Sequence, residues 1–135
     1  MFELNIRTHF SAAHHLVGYA GSCAALHGHN WGVEVFVRGA ELDASGILVD
    51  FRVLKAEVRA LLKEFDHTDL NASADFKIMN PTSENLARHL FKRLSGQLNC
   101  ERCRIARVTV CETPDNTASY WEDDGPQCGR GQAAR

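Results

Sequence analysis

The stretch Cys23-Ala-Ala-Leu-His27-Gly28-His29 runs directly into Asn30-Trp31-Gly-Val-Glu-Val-Phe-Val-Arg38, an alternating segment that begins at a pair of histidines. Side chains alternate along a strand, so His27 and His29 share the face that carries Trp31 and the valines after it. Imidazole is the commonest side-chain ligand for metals such as zinc. The stretch therefore predicts a metal site at the start of a strand with one apolar face.

A third histidine comes from the preceding segment. Residues 2–10 alternate strictly, and the apolar face consists of Phe2, Leu4, Ile6, Thr8 and Phe10. Continued alternation brings His14 to this face and His15 to the other. With His27 and His29, His14 would fill three corners of a zinc tetrahedron and leave one open, which is typical of a catalytic site. The alternative is that these are hydrogen-bonded core histidines or solvent-facing strand residues.

Three further positions carry groups with two interpretations each. Cys23 is either a fourth zinc ligand, which would close the site, or a free thiol for acid–base or nucleophilic chemistry. Asp66 and His67 form either a general base with an orienting carboxylate or a helix C-cap. Glu112 has inward parity at the end of an apolar strand. It either holds a guanidine-like ligand edge or marks where the strand re-enters water.

Length and composition indicate a single globular domain. The chain has 135 residues, of which 44% are hydrophobic and 24% charged. A net charge of −2 gives no case for binding nucleic acid or an anionic membrane. The N-terminal segment lacks the features of a signal peptide, and no apolar run approaches the ~20 residues that span a bilayer. We therefore expect a cytoplasmic protein without nucleic-acid or membrane partners.

Five cysteines, an odd number, favour reduced thiols over a disulfide framework in a chain with no export signal. Cys100-Glu-Arg-Cys103 has the spacing of half a zinc knuckle or of a redox pair. No second Cys-x-x-Cys or histidine pair accompanies it, and it falls between a predicted helix and a predicted strand. The sequence therefore favours a structural turn over a metal or redox role.

The predicted elements follow the order strand, strand, helix, helix, strand, strand. Asp50 is the predicted N-cap of a first helix that continues to about Phe65. Its buried stripe is predicted to be Phe51, Leu54, Val58, Leu61, Leu62 and Phe65. The second helix is predicted to begin at Asn80-Pro81-Thr82-Ser83-Glu84 and to stop at Gly96.

The strand from Ile105 to Glu112 is predicted to turn Ala106, Val108 and Val110 inward. Two strands before the helices and two after them indicate an α+β fold, a four-stranded antiparallel sheet with two helices on one face. Residues 1–122 are expected to form this domain, and residues 123–135 a disordered tail. The open edges of so small a sheet favour pairing with other subunits.

Six short motifs occur in an order that resembles the 6-pyruvoyltetrahydropterin synthase superfamily, from about Phe2 to Trp121. The motifs are Phe10-Ser-Ala-Ala-His14, Cys23-x-x-x-His27-Gly28-His29, Gly46-Ile-Leu-Val-Asp50-Phe51, Asp66-His67, Asn80-Pro81-Thr82-Ser83-Glu84-Asn85 and Cys111-Glu112-Thr113-Pro114. The three residues between Cys23 and His27 resemble the 6-carboxy-5,6,7,8-tetrahydropterin synthase branch. The pyruvoyl enzymes of animals have a longer spacer.

The resemblance implies a role for each of these positions. Zinc (Zn²⁺) would be bound by His14, His27 and His29, and Cys23, Asp66 and His67 would transfer protons. Glu112 would anchor the amino and N3 groups of a pterin, and Thr82, Ser83 and Glu84 would lie close to the same ring. The family's tunnelling fold (T-fold) forms homohexamers, dimers of trimers, with active sites at subunit boundaries.

The activity implied by the resemblance is a zinc-dependent carbon–carbon lyase of queuosine biosynthesis. Such an enzyme converts 7,8-dihydroneopterin triphosphate to 6-carboxy-5,6,7,8-tetrahydropterin and releases acetaldehyde and triphosphate. One alternative is the pyruvoyl synthase, which removes triphosphate without cutting the carbon chain. A second alternative is a zinc- or pterin-binding module without catalysis.

Overall fold

The computed structural model describes residues 1–123, which form a five-stranded sheet covered by two helices. The strands are β1 (Phe2–His14), β2 (His27–Gly39), β3 (Thr68–Asp69), β4 (Arg104–Thr113) and β5 (Asn116–Tyr120). Their order across the sheet is β3-β1-β2-β4-β5. The helices are α1 (Phe51–Leu62) and α2 (Ser83–Leu98). The predicted α+β class with helices between two pairs of strands is confirmed.

The predicted count of four strands is wrong by one short strand. β3 has two residues and runs parallel to β1, with Ala12 opposite Thr68 and Ala13 opposite Asp69. Two residues are too few to show the alternation by which a strand is recognised in a sequence. All the other neighbouring strands are antiparallel. β3 matters for the site because it follows the Asp66–His67 pair directly.

The antiparallel register of β1 and β2 places the inward-facing residues of the two strands side by side. His14 lies opposite His27, Ala12 opposite His29 and Phe10 opposite Trp31. The Phe10 and Trp31 rings stack with centroids 6.2 Å apart, and both side chains are buried. The alternation predicted from the sequence is thus confirmed, and it brings three histidines to one end of the core.

Both helices begin at the predicted caps but end at other residues. Asp50 accepts a hydrogen bond from the backbone N–H of Arg52 at 2.8 Å, as an N-cap should. α1 ends at Leu62, short of the predicted Phe65, and Phe51 is 51% exposed and so outside the buried stripe. α2 passes through Gly96, which lies on the solvent side, so the predicted stop there is wrong.

One apolar core lies between the helices and one face of the sheet. Fully burying a valine or leucine side chain contributes about 1.5–3 kcal/mol, so the set supplies most of the driving force for folding. Among its least exposed members are Phe10, Trp31, Val33, Val35, Leu54, Val58, Leu70, Leu86, Leu90, Leu94, Val108 and Val110. From α2, the predicted Leu86, Leu90, Phe91 and Leu94 are all buried.

A β-bulge in β4 overturns the prediction that Ala106 faces inward. Val37 pairs with Ile105 and Phe36 pairs with Arg107, so Ala106 has no partner in β2. The extra residue shifts the alternation by one position. Ile105 is therefore the buried residue, with 3% exposure.

No helix within residues 1–123 has the length and apolarity needed to cross a membrane. The tail predicted for residues 123–135 lies, apart from Asp123, outside the described residues.

Candidate metal centre and active site

His14, His27 and His29 form a compact cluster at the end of the β1–β2 pair. One nitrogen from each ring lies within 4.8 Å of the others, which is the spacing of ligands around a single ion. The ring centroid of His14 lies 4.5 Å from that of His27 and 5.2 Å from that of His29. The three rings meet one another edge to face. Three histidines chosen by strand parity thus come together as predicted.

Backbone carbonyls orient two of the three rings. His14 Nδ1 lies 2.8 Å from the carbonyl oxygen of Pro81, and His27 Nδ1 lies 2.7 Å from that of Ala25. A carbonyl only accepts, so both Nδ1 atoms carry the proton and donate. The Nε2 atoms of His14 and His27 are then unprotonated lone pairs. This is the arrangement in which an outer hydrogen bond fixes the tautomer of a metal ligand.

Burial favours the neutral forms of His14 and His29. His14 is 2% exposed, and burial lowers its pKa and, by the same cause, the pKa of His29. Within residues 1–123, the Nε2 atoms of His14 and His29 are buried without a hydrogen-bond partner. A buried unpaired nitrogen is costly unless something occupies its lone pair. These orphaned nitrogens fit a metal ion with nitrogen ligands.

Trp31 forms the floor of the cluster. Its ring lies edge to face with His14 and His29 at centroid distances of 4.8 and 5.1 Å. Its indole N–H donates to the carbonyl oxygen of Ala12 at 3.2 Å. A fully buried, hydrogen-bonded Trp holds both imidazoles against the sheet. Sequence parity put Trp31 on the histidine face but did not show its supporting role.

Glu112 lies at the mouth of the cluster, with 30% of its side chain exposed. Its Oε1 lies 3.4 Å from His29 Nε2 without a hydrogen bond, and its Oε2 accepts a hydrogen bond from Ser83 Oγ at 3.3 Å. The inward parity predicted for Glu112 therefore places a carboxylate beside the histidine cluster. One side of this carboxylate remains open to a ligand.

The start of α2 meets the site through Thr82, Ser83 and Pro81. Thr82 is the N-cap, and its Oγ1 accepts from the backbone N–H of Asn85 at 3.1 Å. The carbonyl oxygen before it, on Pro81, holds His14. Glu84 is exposed in the first turn and, among the described residues, makes no hydrogen bond or ion pair. The structure thus joins Ser83 directly to Glu112, whereas Glu84 stands apart.

Cys23 lies in a short 3₁₀ turn, Ser22–Ala24, in the loop between β1 and β2. The turn is held to the end of β1 because Leu16 N–H donates to the Cys23 carbonyl oxygen at 2.8 Å. Cys23 is half-buried and is not bonded to another sulfur within the described chain. The metal-suited cluster in residues 1–123 consists of histidines alone, so Cys23 is not one of its members.

Two asparagines, missed by the sequence reasoning, hold the loop that leads to Cys23. Asn71 accepts from the backbone N–H of His15 at 2.9 Å and donates to its carbonyl oxygen at 3.0 Å. Asn80 makes the same pair of bonds with Val17, at 2.8 and 2.9 Å. An amide side chain matches one peptide group as a neighbouring strand would. The Asn80-Pro81 pair predicted a helix start, but no local sequence pattern predicted that the Asn80 side chain would bond to Val17.

Asp66 and His67 lie between the end of α1 and β3, beside β1. The Asp66 carboxylate accepts from the backbone N–H of Ser11 at 2.9 Å, which lowers its pKa, and it lies 3.0 Å from His67 Nδ1. His67 has φ 58°, an uncommon value for a non-glycine residue, and its side chain is 82% exposed. The pair is therefore preformed but points into solvent.

A shallow open depression of about 550 Å³ is shared by the Asp66–His67 region and the histidine cluster. It is lined by Ser11 to Ala13, Gly28 to Asn30 and His67 to Asp69. Among residues 1–123, no hydrogen bond or ion pair joins Asp66 or His67 to Cys23 or to the histidine cluster. One chain thus brings together the three histidines, Ser83 and Glu112, and His67 lines the same depression as His29 without a bond to this group.

Comparison with known proteins places the chain among pterin synthases. A family model described as 6-pyruvoyl tetrahydropterin synthase matches residues 3–123. The 6-carboxy-5,6,7,8-tetrahydropterin synthase of Bacillus subtilis (strain 168) is 38% identical over 126 residues, which cover 88% of this chain and 84% of the relative. The protein of the same name from Synechocystis is 39% identical over 117 residues, covering 83% and 87%.

Solved structures agree with the expected T-fold. The 6-pyruvoyl tetrahydropterin synthase of Caenorhabditis elegans has a TM-score of 0.81 and 30% identity, and the match covers 90% of this chain and 95% of that one. The Plasmodium falciparum enzyme of the same name has a TM-score of 0.72 at 22% identity, covering 90% and 97%, which bears on the fold alone. On the strength of a family match over nearly all the described residues, this chain belongs to the 6-pyruvoyl tetrahydropterin synthase family of enzymes.

Proposed function

We propose that this chain is a zinc-dependent lyase that converts 7,8-dihydroneopterin triphosphate to 6-carboxy-5,6,7,8-tetrahydropterin, with release of acetaldehyde and triphosphate. The carrying observation is the three-histidine cluster, whose buried nitrogens lack partners among residues 1–123 and which lies beside Glu112. The names of the Bacillus and Synechocystis relatives support this reaction. The product would enter queuosine and 7-deazaguanine biosynthesis in the cytoplasm.

Zinc is the metal that this ligand set favours. Three neutral imidazoles and no carboxylate or thiolate resemble catalytic zinc sites, which keep the fourth position for substrate. His14, His27 and His29 would hold the ion. Bound zinc supplies a Lewis acid that polarises substrate oxygens and stabilises developing negative charge. The chain's contribution is burial, which favours the neutral forms of His14 and His29, and two backbone carbonyls, which fix the tautomers of His14 and His27.

Glu112 is proposed to anchor the pterin ring. A carboxylate accepts two parallel hydrogen bonds from a guanidine-like edge such as the pterin amino group and N3. The Oε2 atom of Glu112 is oriented by Ser83, and its Oε1 atom lies beside His29 of the histidine cluster. The pterin ring would then be oriented so that the substrate's carbon side chain points toward the three histidines. Thr82, Ser83 and Glu84 are proposed to border the same ring.

Cys23, Asp66 and His67 are proposed to move protons during isomerisation and cleavage of the side chain. Asp66 fixes the Nδ1–H tautomer of His67 and leaves Nε2 free to accept a proton. Within the described residues of one chain, no hydrogen bond or ion pair joins Asp66 or His67 to Cys23. We therefore propose a homohexamer, a dimer of trimers, in which the Asp66–His67 pair completes the site of a neighbouring subunit.

Incubation of the zinc-loaded full chain with 7,8-dihydroneopterin triphosphate tests this proposal. We expect acetaldehyde, trapped as its hydrazone, and carboxytetrahydropterin, identified by mass, in equal molar amounts. The same preparation after chelation should form neither product, and added zinc should restore both. Absence of both products from zinc-loaded protein would show that the reaction is wrongly assigned.

The 30% identity to the C. elegans 6-pyruvoyl tetrahydropterin synthase makes that activity the second candidate. It predicts release of triphosphate without acetaldehyde and a product that retains all side-chain carbons, so product masses separate the two reactions. A zinc- or pterin-binding module without catalysis predicts that Cys23→Ala changes no measurable property. The lyase predicts lost turnover in this variant with the metal retained.

A further inference from the structure

The turn between α2 and β4 carries two cysteines that the proposed function does not use. Cys100 and Cys103 have their sulfur atoms 3.6 Å apart, which is van der Waals contact. Cys100 is exposed, whereas Cys103 is half-buried and packs against the core. The pair therefore has one sulfur open to a reagent in solution and a second sulfur directly behind it.

The turn that sets this sulfur spacing is braced from three sides. The backbone N–H of Cys100 donates to the carbonyl oxygen of Cys103 at 2.9 Å. The Arg102 guanidinium donates to the carbonyl oxygens of Ile47 and Leu48 at 3.1 and 3.0 Å. The Asn99 side chain accepts from the backbone N–H of Ile105 at 2.7 Å. The two sulfurs are thus held together by the fold.

We propose that Cys100 and Cys103 form a redox-active dithiol that is reversibly oxidised to an intramolecular disulfide by small-molecule disulfides of the glutathione type. A disulfide needs sulfurs about 2.05 Å apart, so closure requires roughly 1.5 Å of movement within an exposed turn. Disulfides in reducing compartments are usually transient and catalytic or redox-sensing, so a reversible pair agrees with the otherwise reduced thiols expected here. This site is independent of the proposed lyase activity.

The two sulfurs have different electrostatic surroundings that suit successive steps. The backbone N–H groups of Cys103 and Arg102 donate to the Cys100 sulfur and lower its pKa, which favours the nucleophilic thiolate. Burial, together with the hydrogen bond and negative charge of Cys100, raises the pKa of Cys103 to about 11. Once Cys100 is bonded to another sulfur, its charge no longer opposes ionisation of Cys103.

Oxidation then proceeds by two thiol–disulfide exchanges. The Cys100 thiolate attacks one sulfur of the small disulfide, displaces a thiolate and forms a mixed disulfide. Cys103 loses its proton to water and attacks the Cys100 sulfur, which displaces the second small thiolate. The protein loses two electrons and two protons, and the small disulfide becomes two thiols. A reduced dithiol reagent reverses both steps.

A metal site is the less favoured use of this pair. Among residues 1–123, the group of three or more metal-suited side chains is the histidine cluster, and neither Cys100 nor Cys103 belongs to it. Two thiolates without further ligands do not complete a zinc tetrahedron. Cys128 lies outside the described residues, and the variant Cys128→Ser tests whether it takes part.

Trypsin digestion provides a sharp readout because cleavage after Arg102 separates the two cysteines into peptides 94–102 and 103–104. The metal-loaded full chain is equilibrated in mixtures of reduced and oxidised glutathione, acid-quenched, alkylated and digested. We expect the two peptides to become disulfide-linked in most molecules as the oxidised fraction rises, and dithiothreitol to separate them. The same chain unfolded in guanidinium should form at least about tenfold less of this linked product at equal buffer composition.

Single variants test the separate roles of the sulfurs. Cys103→Ser should accumulate a glutathione adduct on Cys100, whereas Cys100→Ser should leave Cys103 unmodified. Cys111→Ser and Cys128→Ser are the matched controls and should form the linked peptides like the wild type. Peptides that stay separately alkylated, linkage to Cys23, Cys111 or Cys128 instead, or equal linkage in the unfolded chain would each overturn the proposal.

Discussion

A histidine that binds a metal needs one ring nitrogen free and the other held by an acceptor. His14 meets both conditions through Pro81, and His27 meets them through Ala25. His29 contributes a buried nitrogen without a hydrogen-bond partner in the described chain. At the scale of single residues, the site therefore combines two rings whose tautomers are fixed by backbone carbonyls with a third buried ring nitrogen.

Replacing His29 by alanine should abolish tight metal binding. Loss of an outer hydrogen-bond partner typically weakens a site by 10–100-fold, so loss of a ligand should weaken it by more than about 100-fold. The matched control is His9→Ala, since His9 lies in the neighbouring strand β1 on its exposed face. Competition with a fluorescent chelator measures both affinities. Equal affinities in the two variants would remove His29 from the ligand set.

Metal-free protein should lose stability as the pH falls through about 6.5, the ordinary value for histidine. Burial lowers the pKa of His14 and His29 in the folded state, so the unfolded chain binds more protons in this range. The histidine contribution is then fully present above this pH and is lost on acidification. The test compares urea midpoints, measured with a chelator present, at about pH 7.5 and about pH 5.5, on either side of the ordinary histidine pKa. His29→Gln should flatten the dependence, and an unchanged slope in this variant would refute the assignment.

Elements differ in how far their sequence determined them. The alternation in β1 and β2 correctly predicted the inward histidines because the face on which a strand residue lies depends on parity alone. The bulge at Ala106 and the two-residue strand β3 arise from pairing with distant segments, which no local pattern records. For the same reason the amide side chains of Asn71 and Asn80, which hold the loop before Cys23, had no sequence signal.

Thr82→Ala should destabilise the start of α2 by about 1 kcal/mol. The change removes the oxygen that accepts the backbone N–H of Asn85. Thr82→Ser, which keeps that oxygen, is the matched control and should unfold at nearly the wild-type urea concentration. The free energy of unfolding from urea titrations decides between them. If the serine and alanine variants lose the same free energy of unfolding, the cap contributes through the Thr82 methyl group instead.

At the scale of the whole molecule, apolar side chains flank the Cys23 loop without cover in a single chain. Among them are Val17 at 67%, Tyr19 at 54%, Leu26 at 63% and Ile78 at 95% exposure. Contiguous exposed apolar groups mark interaction surfaces. With the Asp66–His67 pair pointing into solvent, they support an active site completed by a second copy.

Mixing two inactive variants tests the shared site. Cys23→Ala and His67→Ala should each lose turnover, whereas hexamers reassembled from both should regain part of it, because some interfaces then pair an intact Cys23 with an intact His67. Hexamers of either variant reassembled alone serve as the control. If mixed hexamers, verified by native mass spectrometry, remain inactive, Cys23 and His67 act within one subunit.

In the proposed site, three imidazoles hold the metal and the Cys23 thiol stays free. X-ray absorption at the zinc edge measures this directly, since zinc–nitrogen distances of about 2.0–2.1 Å differ from zinc–sulfur distances of about 2.3 Å. We predict a shell of three imidazole nitrogens and one oxygen donor with no sulfur, identical in wild type and Cys23→Ala. A sulfur in the wild-type shell that disappears in Cys23→Ala would make the site structural and contradict the proposed mechanism.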